Sequence, residues 1–240
     1  MKHLMFTVLV GLTVGLGLSK GAAADDRAWA WSPLGVGLAA PIQLPFMESD
    51  VYGLRFGGFF ADNAEVRGLD FGLVELTTGS FGGIAAAGVN WTMGSAYGVQ
   101  FGALANVVGV NAVALHVAPV NAIYGDAIGA QLGFINFDTG FRGARLGFIN
   151  WSNTVSAGLE MGFLNVSRED YSGAELGLLN FASKSNGLQL GLFNISKGPS
   201  TGVQVGLVNA ADYLSGVQIG LINMICKGPV PLMVLANASF

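Results

Sequence analysis

Apolar and polar positions alternate with period two along most of the chain, in short segments that resemble one another. The stretch GLQLGLFNISKGPSTGVQVGLVN, residues 187–209, holds two copies of one pattern: Gly, apolar, Gln, apolar, Gly, apolar, apolar, Asn. In the second copy Val203, Val205 and Leu207 share one face, and Gly202, Gln204, Gly206 and Val208 share the other. That is the periodicity of a strand. A helix is disfavoured, because two glycines per segment would cost about 1 kcal/mol each in a helix interior. The second glycine recurs at Gly133, Gly147, Gly162, Gly177, Gly191, Gly206 and Gly220, in steps of 14 or 15 residues. An asparagine follows three residues later, at Asn136, Asn150, Asn165, Asn180, Asn194, Asn209 and Asn223. Upstream, Gly53/Gly57, Gly68/Gly72 and Gly98/Gly102 keep the pattern, and residues 84–88 and 114–118 are degenerate copies with alanine in place of glycine. Twelve units thus run over about 53–223 without a linker, so residues 25–240 read as a single repeat-built β domain. Residues 32–43 and the C-terminal segment 229–240 read as one further strand each.

Two all-β architectures fit these units. The favoured expectation is an antiparallel up-and-down transmembrane β-barrel of about 14 short strands, with the Leu/Phe face toward lipid and the Gly/polar face toward a lumen. The alternative is a β-solenoid built from 14–15-residue coils. The barrel is preferred because the segments between units, such as SKSNG and SKGPSTG, are short and polar and offer no second side for a coil's core. Residues 76–125 contain no Asp, Glu, Lys or Arg, which raises transmembrane helices there. Asn106, Asn111, His116 and Asn121 interrupt that segment near the repeat spacing, so strands remain favoured.

The centre of each unit collects polar side chains. It holds Arg55, Asp70, Ala86, Gln100, His116, Gln131, Arg145, Glu160, Glu175, Gln189, Gln204 and Gln218. The surrounding pattern, Gly-x-polar-x-Gly, is palindromic, so these residues keep one height when strands alternate direction. In a barrel they form a candidate lumen belt, with Arg55/Asp70 and Arg145/Glu160 able to pair between neighbours. In a solenoid they form a surface ladder, where Glu160 and Glu175 repel. The belt is either a constriction for small polar solutes or a packed, hydrogen-bonded interior. All five tyrosines fall near the turns that open units, and Trp91 and Trp151 directly follow the Asn position, as interfacial aromatics would. By strict alternation, however, Trp151 and Tyr171 carry the inward parity.

Composition adds location. Hydrophobic residues make up 52% of the chain and charged residues 11%, against about 25% in typical soluble domains. Mean hydropathy is +0.55. Lys2 and His3 precede an apolar stretch from Leu4 to Leu18, and Ala22-Ala23-Ala24 forms a small-residue cleavage site. Residues 1–24 therefore read as a signal peptide, with an N-terminal membrane anchor as the other reading. Cleavage removes Lys2 and Lys20 and leaves nine Lys and Arg against 15 Asp and Glu, a formal charge of −6. Nucleic acid is not an expected partner of such a chain. Cys226, the sole cysteine, reads as a small apolar filler.

Enzyme chemistry finds little support. The mature chain has one histidine, His116, and no motif places a nucleophile beside it. No His/Cys/Asp cluster has metal spacing, and Gly35-Val36-Gly37 lacks the third glycine of a nucleotide loop. No catalytic residue, cofactor or metal is expected.

Units of the form G-[LVA]-x-[LVMI]-G-[LF]-x-N resemble those of a largely uncharacterised family of bacterial surface-repeat proteins. The opening DVYGLRFGGFFADNAEVRGLDFGLVEL, residues 50–76, is similar to the start of such arrays. The resemblance implies export, to the outer membrane or cell surface of a Gram-negative-type bacterium, and carries over no catalytic or binding residue. The terminal Phe240 resembles the C-terminal signature of outer-membrane barrels, which implies membrane lipid and the outer-membrane assembly machinery as partners. The expected function is an envelope barrel, structural or a narrow passive pore, with a secreted solenoid binding module as the alternative.

Overall fold

The computed structural model describes residues 31–39, 42–45 and 49–240. The expected signal segment, 1–24, lies outside the described residues. The described residues are all β, as the alternation implies, but the units do not form a barrel. They wind as a β-solenoid. Each repeat pairs with the next in parallel and in register, so Gly143 lies beside Gly158, Arg145 beside Glu160 and Asn150 beside Asn165. The same parallel pairing continues through Gln131↔Arg145, Gln100↔His116 and Gln189↔Gln204. An up-and-down barrel needs antiparallel neighbours. Among the described residues antiparallel pairs occur only at the two ends, where Ile42–Leu44 lies on Trp31–Ala39 and Leu232–Ser239 lies on the last coil.

The barrel expectation failed on the supposed turn, because the inter-unit segment contains a second arm. In the coil Asp126–Asp138 the first arm is Asp126–Leu132, a bend follows at Gly133 and Phe134, and the second arm is Ile135–Asp138. The next coil, Gly140–Ser152, repeats this shape. Phe141 and Arg145 point inward from its first arm, and Asn150 and Ser152 point inward from its second. The second arm was invisible as a core-facing side because its inward residues are polar. The bend also resets the alternation, so Trp151 faces outward, half-buried, while Tyr171 keeps its inward parity and is fully buried. At about 4.8 Å per coil, twelve coils make a rod about 55 Å long.

Residues 76–125 are strands, including Phe81–Thr92, Ala96–Val108 and Ala112–Val117. No helix among the described residues is long and apolar enough to cross a membrane. Cys226 is exposed rather than a filler of the core.

Two kinds of glycine hold this geometry. Gly143 has a φ of 141°, and a Cβ there would be driven into the carbonyl oxygen of Gly129 in the preceding coil. Gly147 lies beside the asparagines. A Cβ there would come 2.5 Å from Asn136 Nδ2 and 3.0 Å from Asn150 Oδ1.

Candidate functional site

The interior is polar along two of its columns, beside buried apolar residues such as Val66, Phe81, Ile123 and Phe141. Asn90, Asn106, Asn121, Asn136, Asn150, Asn165, Asn180, Asn194, Asn209 and Asn223 stack in one continuous ladder, each Nδ2 donating to the next Oδ1 at 2.8–3.0 Å. Most of these amides donate a second bond to a backbone carbonyl of the following coil, as from Asn150 to Met161 at 3.0 Å and from Asn180 to Leu190 at 3.0 Å, while Asn106 and Asn223 donate within their own coil, to Gln100 and Gly220. Buried amides are tolerated at positions such as Asn150 and Asn180 because both N–H groups and the oxygen have partners.

Arg55, Asp70, Gln100, His116, Gln131, Arg145, Glu160, Glu175, Gln189, Gln204 and Gln218 are all at most 2% exposed. They stack along the solenoid axis, so they are neither a ring around a lumen nor a surface ladder. Ala85, rather than Ala86, holds this position in its coil, opposite Asp70 and Gln100. The belt packs against the second arm. Gln204 Nε2 donates to Ser196 Oγ at 2.8 Å, and Arg145 Nη1 to Asp138 Oδ2 at 2.6 Å. A run of amides continues from Gln218 to Gln204 (2.7 Å), from Gln204 to Gln189 (2.6 Å) and from Gln189 to Glu175 (2.6 Å).

Two buried charge clusters interrupt the amides. Arg55 binds Asp70 through both Nε and Nη2 at 2.7 Å, and its Nε lies 3.0 Å from Glu75. Arg145 bridges Asp138 and Glu160. Glu75 and Asp138 were not singled out from the sequence. Both had a positional signal. Glu75 stands opposite Asn90, in the asparagine column, and Asp138 opposite Ser152.

Buried acids outnumber buried bases. Asp62, Asp70, Glu75, Asp138, Glu160 and Glu175 share the interior with Arg55 and Arg145. Burial raises the pKa of Glu75 to about 9, with Asp70 adding to the rise and Arg55 opposing it. Burial, and then the neighbouring Glu160, lift Glu175 to about 8. Burial also raises Asp138 and Glu160, against the pull of Arg145. His116 is driven down to about 4 by burial alone.

The exterior is the reverse. The bend between the arms carries a column of apolar side chains. Phe134, Phe148 and Phe163 stack at 4.9 and 4.7 Å between ring centres, nearly parallel. Leu178, Leu192, Leu207 and Leu221 continue the column, each at least 40% exposed. Both flat faces beside it are apolar as well, through Leu146, Met161 and Ile219 on the first arm and Ile149, Leu164 and Leu179 on the second. Every charged residue left outside the interior, among the described residues, lies at or next to the opposite edge, where the second arm turns into the next coil. These are Arg67, Arg142, Arg168, Lys184, Lys197 and Lys227, matched by Asp50, Glu65, Asp126, Glu169, Asp170 and Asp212. Tyr52, Tyr97, Tyr124 and Tyr213 are exposed along that edge. Arg67 sits over the Tyr52 ring and Lys227 over Tyr213, while Trp151 Nε1 donates to Asn153 at 3.2 Å. A shallow groove of about 320 Å³ lies there too, with Phe181 and Ile195 among its lining and Arg168 and Lys197 at its margin.

No group of three or more His, Cys, Asp or Glu side chains among the described residues is arranged to hold a metal ion. The features that face solvent are the apolar ladder, the charged edge and the groove beside it. In comparisons with known proteins, no family model, no curated protein and no solved structure matches the chain.

Proposed function

We propose that the chain is an exported β-solenoid interaction module of the cell surface, a rigid rod whose apolar outer ladder is its binding surface. The observation that carries this reading is the ordered, solvent-facing column of Phe134, Phe148, Phe163 and the leucines that follow, set opposite an edge that collects the outer charges. A patch of this extent on a protein surface marks an interaction site. The likeness of the repeat to those of bacterial surface-repeat proteins and the signal-like start of the chain support an envelope setting.

The test is carbene footprinting of the ladder phenylalanines on cells that express the full chain, compared with the purified protein. Protection of Phe134, Phe148 and Phe163 on cells is the expected result. Equal labelling in both settings would mean that the ladder has no occupant and would overturn the reading.

A further inference from the structure

We propose that the occupant of the ladder is a lipid surface, entered edge-first, with the rod lying along the membrane and its charged edge in water. This rests on the module reading and adds the chemistry of the partner. Three features point to lipid. The apolar surface covers both flat faces and the bend edge together, while outer charges keep to the fourth side. A second copy packed on one face would leave the other face and the edge in water, whereas acyl chains cover all three. Tyrosines and one tryptophan mark the boundary: Tyr97 and Tyr124 are exposed there, and Trp151 turns its indole N–H to Asn153 in the polar turn. Aromatic rings with one apolar and one polar end settle at the headgroup level of a bilayer. Finally, the coils satisfy their backbone groups along the axis, through pairing such as Phe141↔Ser156 onward, so the apolar faces present no row of free N–H groups to the hydrocarbon.

Dimensions set the depth. From Arg142 at the polar margin to Phe148 at the bend is six residues, about 20 Å of strand. The hydrocarbon core is about 30 Å thick, so the rod embeds without spanning it. Among the described residues the outer edge carries six cations and six anions, so attachment is apolar in origin and needs no anionic lipid.

The experiment mixes purified full-length chain with phosphatidylcholine vesicles and measures the co-floating fraction in a density gradient. Wild type is expected to float with the vesicles, with a blue-shifted tryptophan emission, and about 0.5 M salt is expected to leave binding intact. The triple variant Phe134→Ser, Phe148→Ser, Phe163→Ser is expected to lose binding by about tenfold or more. Its unfolding midpoint, measured in parallel, is expected to match wild type, because these rings lie outside the interior. A wild-type chain that stays with the unbound fraction overturns the lipid proposal, as does one that forms a discrete dimer, broken by the triple variant, in place of vesicle binding. In either case, continued protection of the ladder on cells would leave the module reading standing, and loss of protection would remove both.

Discussion

At the scale of single residues, this fold is held by the groups that other proteins keep outside. Asn180 donates to Asn194 and to the Leu190 carbonyl and accepts from Asn165. Alanine there would strand an N–H below, an oxygen above and a carbonyl beside them, all buried. Asn180→Ala is expected to destabilise the chain by about 2–3 kcal/mol in urea unfolding. A loss of under about 0.5 kcal/mol would show that the ladder contributes little net stability. The residue pattern was legible in the sequence, since the Gly and Asn columns and the central polar position could be counted. Their duties were only half legible. Alternation places glycine on the same face as the polar belt and says nothing of what each glycine does there. Gly147 does leave room for asparagine amides, but Gly143 serves the backbone, seating one coil on the carbonyl of the coil before.

At the scale of the element, what misled was symmetry. Gly-x-polar-x-Gly reads the same forward and backward, so it tells nothing of whether neighbours run parallel or antiparallel. The short second arm, with Asn150 and Ser152 inward, resembled a polar turn because a core is ordinarily recognised by apolar residues. The interior position of the belt followed from alternation, whereas the choice between lumen and packed axis depended on the unseen arm. The resulting arrangement makes a prediction that reverses the usual rule for large apolar residues. Leu146 is 51% exposed and Arg145 is 1% exposed, one residue apart on the same strand. Leu146→Ser is expected to change stability by less than about 0.5 kcal/mol. Arg145→Ala, which leaves Asp138 and Glu160 buried without their cation, is expected to cost about 3–5 kcal/mol. Denaturant midpoints of the two variants check this directly, and a barrel with Arg145 in a wet lumen would not show so large a gap.

At the scale of the whole molecule, the described charges divide into a balanced outer edge and an interior in which six acids face two arginines. An interior of that composition keeps protons that the unfolded chain releases. Glu75, near 9, and Glu175, near 8, stay protonated in the fold at neutral pH, whereas an unfolded carboxyl titrates at about 4.3. Between these limits the folded chain binds more protons than the unfolded one, so stability falls as pH rises. Each such proton contributes a slope of about 1.4 kcal/mol per pH unit across its window. His116, lowered to about 4, acts in the opposite sense, but only between about 4 and 6.5, where the unfolded chain takes the proton and the fold does not. Above about 6.5 the histidine no longer opposes the raised carboxyls. The melting temperature is therefore expected to decline from pH 6.5 to 8 and to level off above 9, once both carboxyls have ionised in the fold. Glu175→Gln isolates one of them. The amide keeps an oxygen for the Gln189 Nε2 donor, now 2.6 Å from Glu175 Oε2, and cannot ionise beside Glu160. Its stability profile is expected to decline less steeply than wild type below pH 8 and to lie above it at pH 9. Parallel profiles would place the ionisation elsewhere, and a wild-type stability that rises over this range would mean that these carboxyls are charged in the folded rod.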